Sequence, residues 1–228
     1  IPPSEFLCRS CRMTANYELC IMNYELNIRK AAKTDAPLIA KVVAMAIGEE
    51  SAILYGGENY MNVFEEIALL EDSQYSYRNA FVAEINGNAV GAVVAYDGAE
   101  LYPLRKTTLE IIYKHTAKEL QIADETDASE FYLDSLAVLP EYRGRGVGAQ
   151  LILAVKDRAF NEYNKNLGLL VDFENPDAER LYQSVGFERA DVKDFLGHKM
   201  WHLVVRQQST FNIQKLSPYR GASIEPKD

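Results

Sequence analysis

Hydrophobic residues along the chain follow two spacings, an alternation typical of strands and a recurrence every three to four residues typical of helices. Asn86-Gly87 separates two alternating runs and predicts a tight hairpin turn, because both residues tolerate positive φ. Pro140 ends another apolar run, since proline has no N–H to donate to a sheet. The pattern predicts strands over 24–30, 80–85, 89–96, 133–138, 167–173, 187–190 and 199–206.

Helical spacing predicts a first helix that begins after Thr34 as its N-cap and ends near Ile47, with Pro37 in its first turn. Gly56-Gly57 then breaks the chain. Asn175 is the predicted N-cap of a later helix, because Pro176 suits the first helical position. The predicted helices cover 34–47, 60–70, 147–159 and 176–184.

A stretch of about 33 residues, 97–129, separates the third predicted strand from the fourth. Its apolar positions Leu101, Leu104, Ile111 and Ile112 share one face of a helix. Because a structureless loop of this length is unusual in a compact domain, we expect a helix within it. Two interpretations are a lid over a substrate site and a dimer contact.

The composition, 48% hydrophobic and 25% charged over 228 residues, is ordinary for a soluble globular domain. A net charge of −9 disfavours nucleic acid as a partner and suits a cationic substrate. No apolar run approaches the roughly 20 residues of a membrane span, and the first residues lack the pattern of a secretion signal. These features predict a cytoplasmic protein without a membrane partner.

Cys8, Cys11 and Cys20 all lie in the first 20 residues. Cys8-x-x-Cys11 is half of a zinc spacing, but there is no second pair and the histidines are distant, so we predict no metal site. Met22 opens a stretch typical of a domain start. The predicted organisation is a leader or extension over 1–21, one domain over 22–206 with the insertion 97–129, and a polar tail over 207–228.

Between the strand 133–138 and the helix 147–159, three glycines alternate with Arg143, Arg145 and Val147. Glycines allow sharp turns and close approach of a ligand, and the first amides of a helix favour an anion. The segment therefore predicts a cradle for a pyrophosphate, with a simple glycine-rich connector as the alternative. It does not fit a Walker loop, because the last glycine is followed by Ala149 and Gln150 and not by Lys and Ser or Thr. Its G-x-G-x-G spacing also differs from the dinucleotide-binding fingerprint G-x-G-x-x-G.

Arg143-x-x-Gly146-x-Gly148 after Leu136-Ala137-Val138 resembles the acetyl-CoA loop of the GCN5-related N-acetyltransferase (GNAT) superfamily, Q/R-x-x-G-x-G/A. A second motif of that family, N-x-x-A-x-x-L-Y-x-x-x-G-F, is similar to the stretch from Asn175 to Phe187. The resemblance implies an α/β (α+β) GNAT fold. That fold has a mixed central sheet of about six or seven strands, about four flanking helices and here a helical insertion between the third and fourth strands.

The resemblance also implies acetyl-CoA as the donor, without a metal, and an amine as the acceptor. Tyr182 matches the family's usual acid for the departing thiolate. Asn175 and Tyr182 share a helix face because they are seven residues apart. By resemblance, the cofactor contacts are Leu136, Ala137, Val138, Arg143, Gly144, Arg145, Gly146, Val147, Gly148, Ala149 and Asn175.

The base is less defined by the resemblance. Histone-type relatives carry a glutamate where this chain has Tyr132, and ribosomal-protein N-terminal acetyltransferases carry one where it has Leu170. Both departures disfavour histones and protein N-termini as the substrates of this chain. Asp134 and Glu130, acting through water, are the remaining candidates. Alternation predicts that Tyr132, Asp134 and Leu136 share one face, where a carboxylate needs a donor or a cationic substrate as partner.

In the family, the first two helices and their link form one wall of the acceptor site. The candidates there are Glu49, Glu50, Tyr55, Glu58 and Tyr60, although each also fits an ordinary solvated loop. The favoured hypothesis is N-acetylation of a small-molecule amine that is itself cationic. The alternatives are a protein N-terminal or lysine acetyltransferase and a non-catalytic acyl-CoA-binding module. A homodimer stays open, because dimers are common in the family.

Overall fold

A computed structural model describes residues 25–207 of the chain. Its strands are β1 (Leu26–Lys30), β2 (Ala80–Ile85), β3 (Asn88–Asp97), β4 (Glu130–Val138), β5 (Asn166–Asp172), β6 (Glu188–Phe195) and β7 (His198–Val205). They form a seven-stranded sheet in the order β1-β2-β3-β4-β5-β7-β6. The sheet is mixed, because β4 and β5 are parallel while the other neighbours are antiparallel. The predicted mixed sheet is confirmed.

The helices that the structure describes are α1 (Ala36–Ile47), α2 (Glu49–Gly56), α3 (Tyr60–Leu69), α4 (Leu101–Thr116), α5 (Val147–Asn161) and α6 (Pro176–Ser184). They confirm the predicted fold, including the helical insertion, which is α4. Helix α2 was not predicted, because eight residues give too little sequence for a helical period to stand out. It follows α1 after Gly48, whose φ of 83° turns the chain. None of these described helices is long and apolar enough to cross a membrane.

The helices cover both faces of the sheet. On one face, α5 buries Leu151, Ile152 and Val155 against the strands, and α6 packs beside it. On the other face, α1, α3 and the inner side of α4 form a second cluster around Phe64 and Ile67. Each face of the sheet is thus closed by an amphipathic helix, as expected for a layered α/β domain.

The start of α1 corrects one prediction. Thr34 is not the N-cap, because the chain enters the helix through a short 3₁₀ turn, Lys33–Asp35. The carboxylate of Asp35 closes that turn by accepting the N–H of Ala32 at 2.8 Å. Arg29 donates to the same carboxylate at 2.7 and 2.9 Å, and this guanidinium holds the pKa of Asp35 below its usual range.

Two hairpins differ in how well the sequence predicted them. The β2–β3 turn is confirmed, with positive φ at Asn86 (51°) and Gly87 (79°). The β6–β7 hairpin is longer than predicted, since β6 continues to Phe195 and turns at Leu196 (φ 52°) and Gly197 (φ 83°). Most of β6 is exposed, so its sequence shows little alternation. The extra length carries the tip of this hairpin to the site described next.

The predicted leader 1–21 and tail 207–228 fall almost entirely outside the described residues, as do Cys8, Cys11 and Cys20. The domain boundaries therefore stay predictions.

Candidate active site

The site lies where β4 and β5 separate. The parallel pairing of these strands runs from Glu130↔Asn166 to Tyr132↔Gly168. Beyond that point the rest of β4 and the end of β5 lie on opposite sides of a cavity. Parallel strands that diverge in this way leave room for a ligand at their carboxyl ends.

A β-bulge in β4 occurs at Asp134. In the pairing with β3, Val94 faces Ser135 while Ala95 faces Leu133, so Asp134 is the additional residue. A bulge redirects the side chains that follow it. Leu136 consequently packs with the α5-side cluster that contains Leu133, and not on one face with Tyr132 and Asp134, so the predicted alternation was wrong beyond Asp134. All the same, Tyr132, Asp134 and Leu136 all line one cavity.

A groove of about 750 Å³ runs from the end of β4 over the glycine loop to α6. Ten of the eleven predicted cofactor residues line it; the exception is Arg145. Those ten are Leu136, Ala137, Val138, Arg143, Gly144, Gly146, Val147, Gly148, Ala149 and Asn175. The structure thus brings together residues that are up to 39 positions apart in the sequence, although their contacts with a cofactor stay a prediction.

The glycine loop has the backbone that an anion site requires. Gly144 and Gly146 have φ values of 74° and 76°, a region that favours glycine. Gly146 immediately precedes α5, so the first amides of that helix face the groove with the positive end of its dipole. A side chain at Gly148 would meet Leu181 of α6 at 3.2 Å, so glycine also allows α5 and α6 to approach.

The two arginines of the loop differ in position. Arg143 lines the groove, and its Nε donates to the carbonyl of Val138 at 3.0 Å. Arg145 lies outside the lining that the described residues form. Its guanidinium stacks 5.3 Å from the ring centre of Tyr142 and donates to the carbonyl of Glu141 at 3.0 Å. Arg143 is therefore the better-placed arginine for a pyrophosphate.

Tyr182 stands at the junction of the groove with a second cavity of about 340 Å³, since it lines both. Burial raises the pKa of its hydroxyl to about 12. Helix α6 holds it there, and Asn175 is confirmed as the N-cap of that helix, because its side chain accepts the N–H of Ala178 at 3.1 Å. A protonated phenol thus faces both spaces at neutral pH.

The second cavity, called the acceptor cavity below, is walled by α1, α2, β4, β5, α6 and the β6–β7 hairpin. Tyr132 and Leu170, the two positions where the resemblance would place a glutamate, lie in its wall and hold no carboxylate. Its lining also includes Met45, Ala46, Ile47, Ser51, Asp134, Leu136, Val171, Asp172, Asn175, Ala178, Tyr182, Phe195, Leu196, His198 and Met200.

A third, inner pocket of about 90 Å³ lies beyond Asp134. The insertion supplies Thr108, Ile112, Ile122 and Glu125 to its walls, and Tyr55 of α2 is the one predicted acceptor-wall residue that reaches it. The acceptor cavity and the inner pocket are together called the acceptor-side spaces. Among the residues that the structure describes, the other four residues of that prediction do not line either space. They are Glu49, Glu50, Glu58 and Tyr60.

Comparison with known proteins agrees with this geometry. Residues 55–187 match the family model described as Acetyltransferase (GNAT) family. The chain is 30% identical to an acetyltransferase of known structure, over 78% of this chain and 97% of that chain, with a TM-score of 0.67. The chain belongs to the acetyltransferase (GNAT) family. Acetyl transfer from acetyl-CoA is the activity that this membership supports.

Two further solved structures show the same GNAT fold. An N-acetyltransferase from Staphylococcus aureus Mu50 is 24% identical, with 78% of this chain and 100% of that chain covered and a TM-score of 0.67. A GNAT-family acetyltransferase from Bacillus cereus ATCC 10987 is 11% identical, with 81% and 99% covered and a TM-score of 0.51. No curated protein matches the sequence of the chain.

In this GNAT chain, Asp134 is the carboxylate that both acceptor-side spaces share. It is half-buried, and it accepts hydrogen bonds from Ser135 Oγ at 2.7 Å and from Tyr96 Oη at 3.3 Å. Burial, followed by the nearby charge of Glu125, raises its pKa to about 7. A group that titrates near neutral pH is suited to accept a proton.

Glu130, the other predicted base, has a different environment. Its buried carboxylate accepts the hydroxyl of Thr126 at 2.8 Å and lies 2.9 Å from His202 Nε2. Four residues of extended strand, about 13 Å, separate it from Asp134. It lies outside the walls that the described residues give the acceptor cavity, so the geometry favours Asp134.

Sequence reasoning missed a histidine–carboxylate pair on the outer wall of the acceptor cavity. His198 Nδ1 lies 2.9 Å from Asp172 Oδ2, and both residues line the cavity. The pair forms because β5 and β7 are adjacent, which no local pattern announces. Among residues 25–207, no group of three or more His, Cys, Asp and Glu side chains is arranged to hold a metal ion.

Proposed function

We propose that this GNAT chain transfers the acetyl group of acetyl-CoA to the primary amine of a small cationic molecule by direct attack. The observation that carries the proposal is the placement of the Asp134 carboxylate on the strand whose next residues form the edge of the groove over the glycine loop, called the cofactor groove. The cofactor groove and the acceptor cavity meet at Tyr182 and Leu136. A thioester bound in the groove and an amine bound in the cavity would therefore meet there.

The residues divide the chemistry between them. The loop amides and Arg143 neutralise the pyrophosphate, while the backbone of residues 136–138 runs beside the pantetheine. Asp134 takes a proton from the acceptor ammonium, directly or through water, which exposes the nitrogen lone pair. The nitrogen bonds to the thioester carbon, the carbon–sulfur bond breaks, and Tyr182 donates its proton to the departing thiolate. A primary ammonium loses two protons when it becomes a secondary amide: Asp134 takes the first before the attack, and the second leaves the nitrogen after the attack and returns through water to the Tyr182 phenolate, so the step balances.

The shape and charge of the acceptor side support a small cation. A volume of about 340 Å³ lies in the range typical of small-molecule sites. The insertion walls the inner pocket, and the turn residues Phe195 and Leu196 line both acceptor-side spaces, so an extended chain has little room inward. Tyr132 and Tyr55 present aromatic rings beside Asp134, an environment that favours an ammonium group.

Asp134→Asn is expected to remove the acidic limb of the pH–rate profile. In the wild type the rate should rise about tenfold per pH unit below the pKa of Asp134, about 7, and level off above it, because only the ionised carboxylate accepts a proton. The variant should be slower by roughly tenfold to 100-fold on the plateau. Measuring kcat between pH 5.5 and 9 with a saturating amine tests this.

His198→Gln is the matched control for that profile, since His198 lines the same cavity and its imidazole is the other side chain there that could accept a proton. It should keep the acidic limb. If Asp134→Asn kept the limb and His198→Gln lost it, the base would be the histidine paired with Asp172, and the role given to Asp134 would be wrong.

Two other functions are separated by one assay. A protein acetyltransferase would prefer peptides, and an acyl-CoA-binding module would bind acetyl-CoA without releasing thiol when acceptors are added. Tyr132 and Leu170 speak against the first, because neither supplies the glutamate of the protein-directed relatives. A panel of polyamines, aminoglycosides, amino acids and peptides, read by thiol release, discriminates among the three. Turnover confined to peptides would reject the small-molecule proposal.

A further inference from the structure

A buried hydrogen-bond cluster connects Asp134 to the insertion. The hydroxyl oxygen of Tyr96 lies 2.9 Å from Glu125 Oε1 and 3.3 Å from Asp134 Oδ2. A phenol has one proton to donate, so it serves only one of these carboxylates at a time. The two carboxylates therefore compete for this proton, and Asp134 attracts it more strongly when it is ionised than when it is protonated.

The insertion holds Glu125 firmly in this position. Arg105 of α4 pairs with Oε2 of Glu125 and with Asp124 at 2.7 Å. The side-chain amide of Gln74 donates to Oε1 of Glu125 at 2.9 Å and to the Tyr96 hydroxyl at 3.1 Å. Both oxygens of this buried carboxylate therefore have partners, so it is held in place and is not a free ligand for a substrate.

We propose that Glu125 and Tyr96 are positioning residues for Asp134. By sharing one hydroxyl proton between two carboxylates, they set the pH range over which Asp134 accepts a proton from the acceptor amine. The insertion thereby acts on catalysis through the strength of the base and not by contact with the reacting atoms. This inference rests on the proposed function, because it requires Asp134 to be the base.

The groups around Asp134 act in opposite directions. Burial and the charge of Glu125 disfavour the ionised carboxylate, while Ser135, Tyr96 and Arg105 favour it. Across the acceptor cavity, the titratable groups that share its lining with Asp134 are Tyr182, Asp172 and His198. The remaining titratable groups, which face the inner pocket, are neutral tyrosines, whose pKa values burial raises. They are Tyr55 of α2, Tyr75 after α3 and Tyr132 of β4. From β6, Lys193 donates to the carbonyl of Glu125 at 3.2 Å.

Two variants are expected to move the acidic limb of the kcat profile in opposite directions. Glu125→Gln removes the repelling charge and should move its midpoint down by roughly one pH unit. Tyr96→Phe removes a donor to the ionised Asp134 and should move the midpoint up by roughly half a unit. Asp124→Asn is the control, since Asp124 pairs with the same arginine from a more exposed position and should leave the midpoint unchanged.

The outcomes keep the two hypotheses apart. If Asp134→Asn lacks the limb but both Glu125→Gln and Tyr96→Phe titrate as the wild type does, the inference fails and the proposed function stands. If Asp134→Asn retains the limb, the proposed function fails and takes the inference with it. Should Glu125→Gln not fold because Arg105 loses its buried partner, Tyr96→Phe decides alone, and an unmoved or lowered midpoint overturns the inference. Acetyl-CoA affinity should be unchanged in every variant.

Discussion

Replacing Tyr182 with phenylalanine is expected to lower turnover by about 10³-fold while the affinity for acetyl-CoA changes by less than a few-fold. A general acid is worth typically 10²–10⁴-fold, and the variant removes only the hydroxyl. The ring, which packs edge-on against Phe187 with centres 5.8 Å apart, is retained. Because the pKa of Tyr182 is about 12, the wild-type hydroxyl stays protonated across the assay range. It can therefore donate a proton to the departing thiolate, whose conjugate thiol has a pKa of about 8.5.

Single-turnover thiol release and calorimetric binding of acetyl-CoA separate the two quantities in this prediction. Tyr142→Phe is the matched control, because Tyr142 lines the cofactor groove but not the acceptor cavity. It should leave the rate of the chemical step unchanged. Unchanged turnover with unchanged acetyl-CoA binding in Tyr182→Phe would show that the hydroxyl only contacts the cofactor.

Gly146→Glu is expected to weaken acetyl-CoA binding by roughly 10³-fold, because like charges placed together cost several kcal/mol. The carboxylate would stand at the helix terminus where the pyrophosphate is expected. The same substitution also forces a side chain onto a residue with φ 76°, at a backbone cost of about 1–2 kcal/mol. Calorimetric titration with acetyl-CoA measures the loss, and thermal unfolding measures the backbone cost.

Gly87→Glu separates the charge effect from the backbone effect. Gly87 has a φ of 79°, and, as at Gly146, an added Cβ would meet nothing within 4 Å. It belongs to the β2–β3 turn, outside the walls that the described residues give the cofactor groove. Both variants should lose similar stability, and only Gly146→Glu should lose affinity. Equal affinities would contradict the cradle, and a wild type that does not bind acetyl-CoA would leave the motifs with a role in the fold alone.

Much of the fold was readable because it depends on local patterns. The helix α5 repeats an apolar face over four turns, the Asn86-Gly87 turn needs only its own two residues, and Asn175 caps α6 with an atom three residues away from its partner. Each of these features is decided within a window of a few residues. The insertion helix α4 was predicted for the same reason, whereas α2 was too short to give a period.

Ten of the eleven residues predicted to contact the cofactor line one groove, because they lie in two short segments whose spacing fixes them on neighbouring elements, and their contacts with a cofactor stay a prediction. Arg145 shows the limit of that reasoning. Its place in the loop suggested a second phosphate contact, yet its side chain turns to the ring of Tyr142. Backbone position follows from the motif, while the direction of a long side chain follows from its neighbours.

The sequence alone determined the family-type loop, the order of the elements and the candidacy of Tyr182 and Asp134. Tertiary structure alone decided the direction, the burial and the neighbouring charge of the Asp134 side chain. The bulge that redirects β4 depends on the register of β4 with β3. The burial of Asp134 depends on the packed helices. The charge of Glu125 lies near Asp134 because Arg105 of α4 holds Glu125 there by an ion pair. Strand register and the pKa of a half-buried carboxylate are set by contacts distant in sequence, and for that reason no local pattern contains them.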